Sequence, residues 1–113
     1  MLPRVNRVIR PADFRAAVRR GRRVGSEIAV IHVLRGADGV PPRAGFLVTK
    51  AVGNAVTRNL IKRRMRAIIH ETLAELPLGT DVVVRALPAS AQASWATLHN
   101  DITEGISMGM ARQ

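Results

Sequence analysis

The chain of 113 residues has no cysteine and no tyrosine, one tryptophan, two phenylalanines and only eight acidic side chains. Without cysteine there can be no disulfide, thiolate metal site or cysteine nucleophile, a usage that fits a reducing compartment. The three histidines, His32, His70 and His99, are scattered without Cys or Glu at ligand spacing, so no metal site is expected. The acids are dispersed as well. Glu71 and Glu75 sit one helical turn apart and read as solvated residues near Arg64. No Ser-His-Asp arrangement is evident, and no residue of this chain is assigned a catalytic role. The longest strongly apolar stretch, Ile28 to Leu34, is far too short to span a bilayer, and Met1 to Arg7 has no apolar run behind its positive charge. Neither a linker, a low-complexity tract nor an internal repeat interrupts the chain, so one domain over residues 1–113 is expected, in the cytoplasm.

What is present is positive charge, unevenly placed. The formal net charge is +10. Residues 1–66 hold sixteen basic residues against three acids, a balance of +13, whereas residues 67–113 come to −3. A polarised charge of this size builds a positive potential that suits a polyanion. A membrane surface fits less well, because no segment joins a basic face to large lipid-facing aromatics.

Along the chain a first helix is expected from Pro11, with proline in the first turn, to a stop at Gly21. Residues 22–35 are rich in β-branched side chains and hold one or two strands. A turn over Gly36–Gly39, with Pro41 and Pro42 behind it, leads to a strand over Arg43–Lys50, which the turn would pair with the preceding strand as a hairpin. A long helix follows over Ala55–Leu76, with Asn54 or Thr57 as its cap. A further strand lies over Thr80–Leu87. A last helix starts near Ser94, carries Trp95, Leu98 and Ile102 on one face toward the sheet, and frays past Gly105. The order is α-β-β-β-α-β-α, an α+β fold with a single four-stranded sheet.

The long helix carries the strongest signal. Ile61, Met65, Ile68, Thr72 and Leu76 recur at helical spacing as one apolar stripe. Asn59, Lys62, Arg63, Arg66 and His70 recur at the same period as a second stripe, with no acid among them. The segment from Arg58 to Arg66 covers about 12 Å of helix axis at ~1.5 Å per residue. Like charges packed so closely weaken a helix unless a polyanion neutralises them. Val52-Gly53-Asn54 lacks the spacing of a phosphate-binding loop, and the strands flanking the basic helix do not suit a helix-turn-helix DNA reader.

Three blocks, Gly45-Phe-Leu-Val-Thr-Lys50, Val52-Gly-Asn-Ala-Val-Thr-Arg-Asn59 and Ile61-Lys-Arg-Arg-Met-Arg66, together resemble the signature of the protein component of bacterial ribonuclease P. Asn6-Arg7, Asp13-Phe14, Arg19-Arg-Gly21 and Pro88-Ala89 agree with it, and the likeness covers residues 4 to 102. The resemblance implies a small subunit of a ribonucleoprotein endonuclease that removes 5′ leaders from precursor tRNA. Its partners would be the catalytic RNA and precursor tRNA, with one protein per RNA. Magnesium would be required by the RNA, and no cofactor would be bound by the protein. It also implies a fold like domain two of ribosomal protein S5, with a left-handed crossover through the long helix, against the usual rule. Position by position, RNA-subunit binding falls on Arg58, Asn59, Lys62, Arg63 and Arg66. Leu60 stands where the family usually has a second arginine, which Arg64 or a neighbour would partly replace. The leader-binding cleft, between the first helix and the sheet, falls on Phe14, Val18, His32, Thr49, Lys50 and Arg85. Val18 and His32 stand where the family often has aromatics, so fewer rings are offered to unpaired bases. Phe46 and Trp95 read as core.

The alternative is a ribosomal-type or chaperone RNA-binding protein with no catalytic partner. It shares the charge and the fold class, but it does not require an exposed groove beside Phe14.

Overall fold

A computed structural model describes residues 2–36 and 39–111. The elements run α1 (Pro11–Arg20), β1 (Arg22–Gly25), β2 (Ala29–Arg35), β3 (Arg43–Leu47), α2 (Ala55–Leu73), β4 (Thr80–Ala86) and α3 (Trp95–Ala111). A 3₁₀ turn over Arg4–Asn6 precedes α1, and another over Pro88–Gln92 precedes α3. The expected element order is therefore observed, with two strands in the segment over residues 22–35. Of the turn expected at Gly36–Gly39, Ala37 and Asp38 lie outside the described residues.

The sheet order is β1-β2-β4-β3. The expected hairpin between β2 and β3 does not form. The hairpin is instead β1 with β2, and β3 lies parallel to β4 at the far edge. The cause is β4 itself. Val82, Val83 and Val84 are all fully buried, and a strand buried on both faces belongs in the centre of a sheet rather than at its edge. It therefore separates β2 from β3. The last strand in the sequence is the second from the edge in space. Strand β3 also stops at Leu47, leaving Val48 to Asn54 to run into α2.

Each strand alternates between two faces. Ala29, Ile31 and Val33 of β2, Val82, Val84 and Ala86 of β4, and Ala44 of β3 form one hydrophobic core with α2 and α3. From α2 come Ile61, Met65, Ile68, Ile69 and Leu73. The buried stripe thus includes Ile69 and Leu73, while Thr72 and Leu76 are half-buried and the helix ends at Leu73. Burial of each such side chain is worth ~1.5–3 kcal/mol. A like-charge pair on the opposite face costs only a few tenths of a kcal/mol. Packing therefore holds α2 in place despite its crowded arginines.

Helix α3 does not fray past Gly105 but continues to Ala111. Gly105 and Gly109 are buried against the sheet. A Cβ on Gly105 would strike Ile31 Cδ1, and one on Gly109 would lie 2.6 Å from Val33 Cγ2. These glycines are contact points that let the helix axis approach the strands, and the packing offsets their low helix propensity. Trp95, expected against the sheet, is 43% exposed at the start of α3. Its ring lies 6.2 Å from that of His99. Leu98 and Ile102 do face the core.

On the other face of the sheet lie Val30, His32 and Leu34 of β2, Asp81, Val83 and Arg85 of β4, and Arg43, Gly45 and Leu47 of β3. Helix α1 covers part of this face through the buried Ala17. Val30, His32, Gly45, Asp81 and Val83 are buried there, Leu34, Arg43 and Leu47 are half-buried, and Arg85 is exposed.

Candidate nucleic-acid interface

Two surfaces emerge, one on each side of the sheet. The first is the outer side of α2. Asn54 caps the helix, its Oδ1 accepting the Thr57 N–H at 2.9 Å. From there Asn59, Arg63, Arg66 and His70 are exposed along one line. Arg58 and Lys62 lie on the flank nearer the core and are half-buried. Arg58 Nε is buried with no hydrogen-bond partner in the protein. The five residues carried over from the resemblance thus form two adjacent rows rather than one. Arg64 lies one turn from Leu60, and one of its η nitrogens is 3.4 Å from the Ala93 carbonyl. It is directed toward the turn before α3 and away from the row of Asn59 and Arg66.

Among the described lysines and arginines, only Arg43 makes an ion pair. The α2 surface therefore has no internal counter-charge, the condition under which binding a polyanion releases the most counterions.

The second surface is the cleft between α1 and the sheet. Phe14 lies directly on β3, where Gly45 makes room for it. A Cβ on Gly45 would be 2.6 Å from Phe14 Cε1. The neighbouring Asp13 is 3.3 Å from an η nitrogen of Arg43, and Arg43 grips Asp81 through Nε at 2.9 Å and Nη2 at 2.7 Å. Consecutive residues of α1 are thus fixed to alternate residues of one strand. The Asp81 hydrogen bond is also the main reason the Arg43 pKa is raised, despite partial burial. Val18, one turn after Phe14, is exposed.

On the floor of the cleft, His32 is buried, and its Nδ1 has no partner in the protein. Its pKa is held below the ordinary 6.5, first by burial and then by the charges of Arg23 and Arg85. The imidazole is therefore neutral at pH 7, with one buried ring nitrogen unpaired in the protein. Arg23 is a residue that the sequence reading did not include. It is the cross-strand partner of His32, a relation that required knowing that β1 pairs with β2. Arg85 is exposed on the same face, between Val30 and Leu47 in register. Thr49 and Lys50 lie past the end of β3 and are exposed in the loop before α2. The structure puts Phe14, His32 and Arg85 on one side of the sheet, leaves Val18 exposed on α1, and places Thr49 and Lys50 off the sheet.

Phe46, expected to be pure core, is half-buried. It packs against the core and also lines a cavity of about 260 Å³ with Leu2, Arg7, Val8 and Arg66.

Four of the described acids have partners. Asp13 and Asp81 hold Arg43. Asp101 accepts from Ser26 Oγ at 2.6 Å, and Glu71 lies 3.0 Å from His99 Nε2. Among the described residues no three His, Asp or Glu side chains are grouped to hold a metal ion. The two surfaces offer donors, one phenylalanine and one neutral imidazole.

The family model described as Ribonuclease P matches residues 2–108. A ribonuclease P protein component from Clavibacter michiganensis subsp. michiganensis is 45% identical over 107 residues, covering 95% of each chain. One from Streptomyces bikiniensis is 49% identical over 110 residues, covering 90% of this chain and 89% of that one. A structure of the Staphylococcus aureus RNase P protein at 2.0 angstrom superimposes with a TM-score of 0.82 at 25% identity, over 91% of this chain and 94% of that one. The RNase P protein from Thermotoga maritima shares the fold, with a TM-score of 0.74 at 22% identity, over 87% and 92%.

Proposed function

The chain belongs to the ribonuclease P protein family, and on that premise we propose how its two surfaces divide the work of the holoenzyme. It is the protein component of ribonuclease P, an endoribonuclease whose catalysis is carried out by RNA, and its partner is the ribonuclease P RNA. The outer side of α2, through Arg58, Asn59, Lys62, Arg63 and Arg66, holds that RNA. The cleft beside Phe14, His32 and Arg85, with Val18 at its edge, takes the 5′ leader of precursor tRNA, and one protein binds each RNA in the cytoplasm. Thr49 and Lys50 would meet the leader only as it leaves the sheet.

The observation that carries this reading is the pairing of an uncompensated basic helix on one side with a second sheet face whose margin, at Phe14, Val18 and Arg85, is accessible. A purely RNA-coating protein would need the first and not the second. Neutralising phosphates on both RNAs lowers the repulsion between substrate and ribozyme, and fixing the leader against Phe14 brings the cleavage site to the RNA's reacting groups. Magnesium held by the RNA supplies the metal-assisted chemistry. The protein itself has no grouped donor set for it among the described residues.

The test is cleavage of precursor tRNA at low magnesium by the cognate ribonuclease P RNA, with and without this protein. Correct 5′ cleavage restored only when both are present supports the reading. Tight binding to other structured RNA without restored cleavage would favour the ribosomal or chaperone alternative.

A further inference from the structure

A second basic surface on the N-terminal segment is not accounted for by either site. After the 3₁₀ turn, this segment runs alongside β3. Arg7 bridges to Ala44 in parallel, and the Val8 N–H donates to the Ala44 carbonyl at 2.9 Å. Asn6 Nδ2 donates to the Pro42 carbonyl at 2.8 Å, Arg7 Nε donates to the Leu2 carbonyl at 2.8 Å, and Leu2 and Val8 are buried. The segment is therefore a fixed edge of the sheet with a defined outer side.

That outer side is a groove of about 540 Å³ from the start of α1 to the start of β3, walled by Arg4, Val5, Arg7, Ile9, Arg10 and Val40. Two features need an explanation. Val5, Ile9 and Val40 are 63%, 47% and 40% exposed, a concentration of bare aliphatic surface in one place. Arg4 and Arg10 have no ion-pair partner among the described residues. The acid in the described wall is Asp13, and Arg43 already holds its carboxylate. Nothing described in the groove repels an anion, and guanidinium groups alternate with small apolar patches.

The groove is also continuous with the α2 surface. Arg7 lines both this groove and the 260 Å³ cavity, and Arg66 of α2 lines that cavity too. A basic track therefore runs from Arg66 through Arg7 to Arg4 and Arg10. We propose that this groove binds the phosphodiester backbone of the same RNA that α2 holds. Arg4 and Arg10 would contact phosphates, while Val5, Ile9 and Val40 would pack on the apolar faces of riboses or bases. The RNA footprint would then turn off α2 and continue over the N-terminal segment. This rests on the reading that α2 holds the ribonuclease P RNA. Continuity with that helix and the net positive wall favour RNA over an acidic protein segment.

The experiment uses the full chain and the cognate ribonuclease P RNA. Arg4→Ala with Arg10→Ala should weaken binding about tenfold and lower the salt slope by about 1.8, at ~0.9 per phosphate contact. Nucleotides outside the α2 footprint should lose protection in a chemical footprint. Arg4→Lys with Arg10→Lys should keep the wild-type slope. Val5→Ser with Ile9→Ser should weaken binding without changing the slope. Thermal unfolding checks that each variant is folded, and Lys62→Ala with Arg66→Ala serves as the control on α2. If the control loses affinity while the groove variants match wild type in affinity, slope and footprint, the groove proposal is overturned and the α2 reading stands. If neither set has an effect, both fall. A loss confined to leader-bearing substrate, or a groove that captures an acidic protein with RNA binding unchanged, also overturns the proposal.

Discussion

Arg43 and Asp81 face each other across the parallel strands β3 and β4, joined by two hydrogen bonds of 2.9 and 2.7 Å. Arg43 then reaches a third element through Asp13 of α1 at 3.3 Å. One guanidinium group thus joins two strands and the helix that overhangs the cleft.

The two carboxylates should differ in worth. Asp81 is 7% exposed, and replacing it with Ala leaves the Arg43 charge without its main partner. The expected cost is about 2–3 kcal/mol, at or below the low end for a fully buried pair because Arg43 is partly solvated. Asp13→Asn should cost under about 1 kcal/mol, yet it frees the first turn of α1. Urea unfolding measures both losses. Leader-dependent substrate affinity should fall for Asp13→Asn with RNA-subunit affinity unchanged. Equal stability losses from the two variants would contradict this division.

Phe14 and Gly45 form a matched pair. Phe14→Ala should spare RNA-subunit binding and weaken capture of leader-bearing precursor tRNA, with a stacking contact worth ~1–3 kcal/mol at stake. Gly45→Ala, which leaves the ring present but pushes it off the strand, should reproduce part of that loss and cost about 1–3 kcal/mol of stability through overpacking. Equilibrium binding of substrates with and without a leader separates the effects. An equal loss on both substrates would count against the cleft.

His32 gives the fold a pH dependence of predictable sign. Its folded pKa lies below the ordinary 6.5, so the unfolded chain binds more protons as pH falls through that value. This contribution is complete above pH 6.5 and is lost as pH drops below it. The melting temperature of the wild type should decline on mild acidification, and His32→Asn should flatten that decline. A wild type as stable at pH 5.5 as at pH 7.5 would show that His32 has no such role.

Gly105→Ala tests whether α3 glycines are stops or contacts. Helix propensity alone predicts a gain of about 1 kcal/mol. The clash with Ile31 predicts a net loss of about 1–3 kcal/mol. Thermal or denaturant unfolding distinguishes the two by sign.

Much of this architecture was legible in the sequence where the signal is local. Pro11, Asn54 and the 3.6-residue recurrence of Ile61, Met65 and Ile68 mark helix starts and faces within a few residues of themselves. The charge stripe on α2 is likewise a property of one helix. What stayed hidden depends on partners distant in the chain. Whether β3 pairs with β2 or with β4 is decided by the burial of Val82 to Val84, more than thirty residues beyond β3 in the chain. Gly105 and Gly109 look like helix stops until Ile31 and Val33 are set beside them. Arg23 became a cleft residue only through its register with His32. Arg43 seemed one more basic residue among many, because the carboxylates that occupy it lie 30 and 38 residues away.

The position of β4 also bears on the order in which the chain is made. The ribosome releases the N-terminal two-thirds first, and with it nearly all the positive charge. At that stage β2 and β3 have no shared neighbour, since the strand that joins them has not been synthesised. The β1–β2 hairpin can form, but β3 and α2 must wait for residues 80–86 to enter between β2 and β3. The most basic part of the nascent polypeptide thus emerges from the ribosome before its own sheet can close.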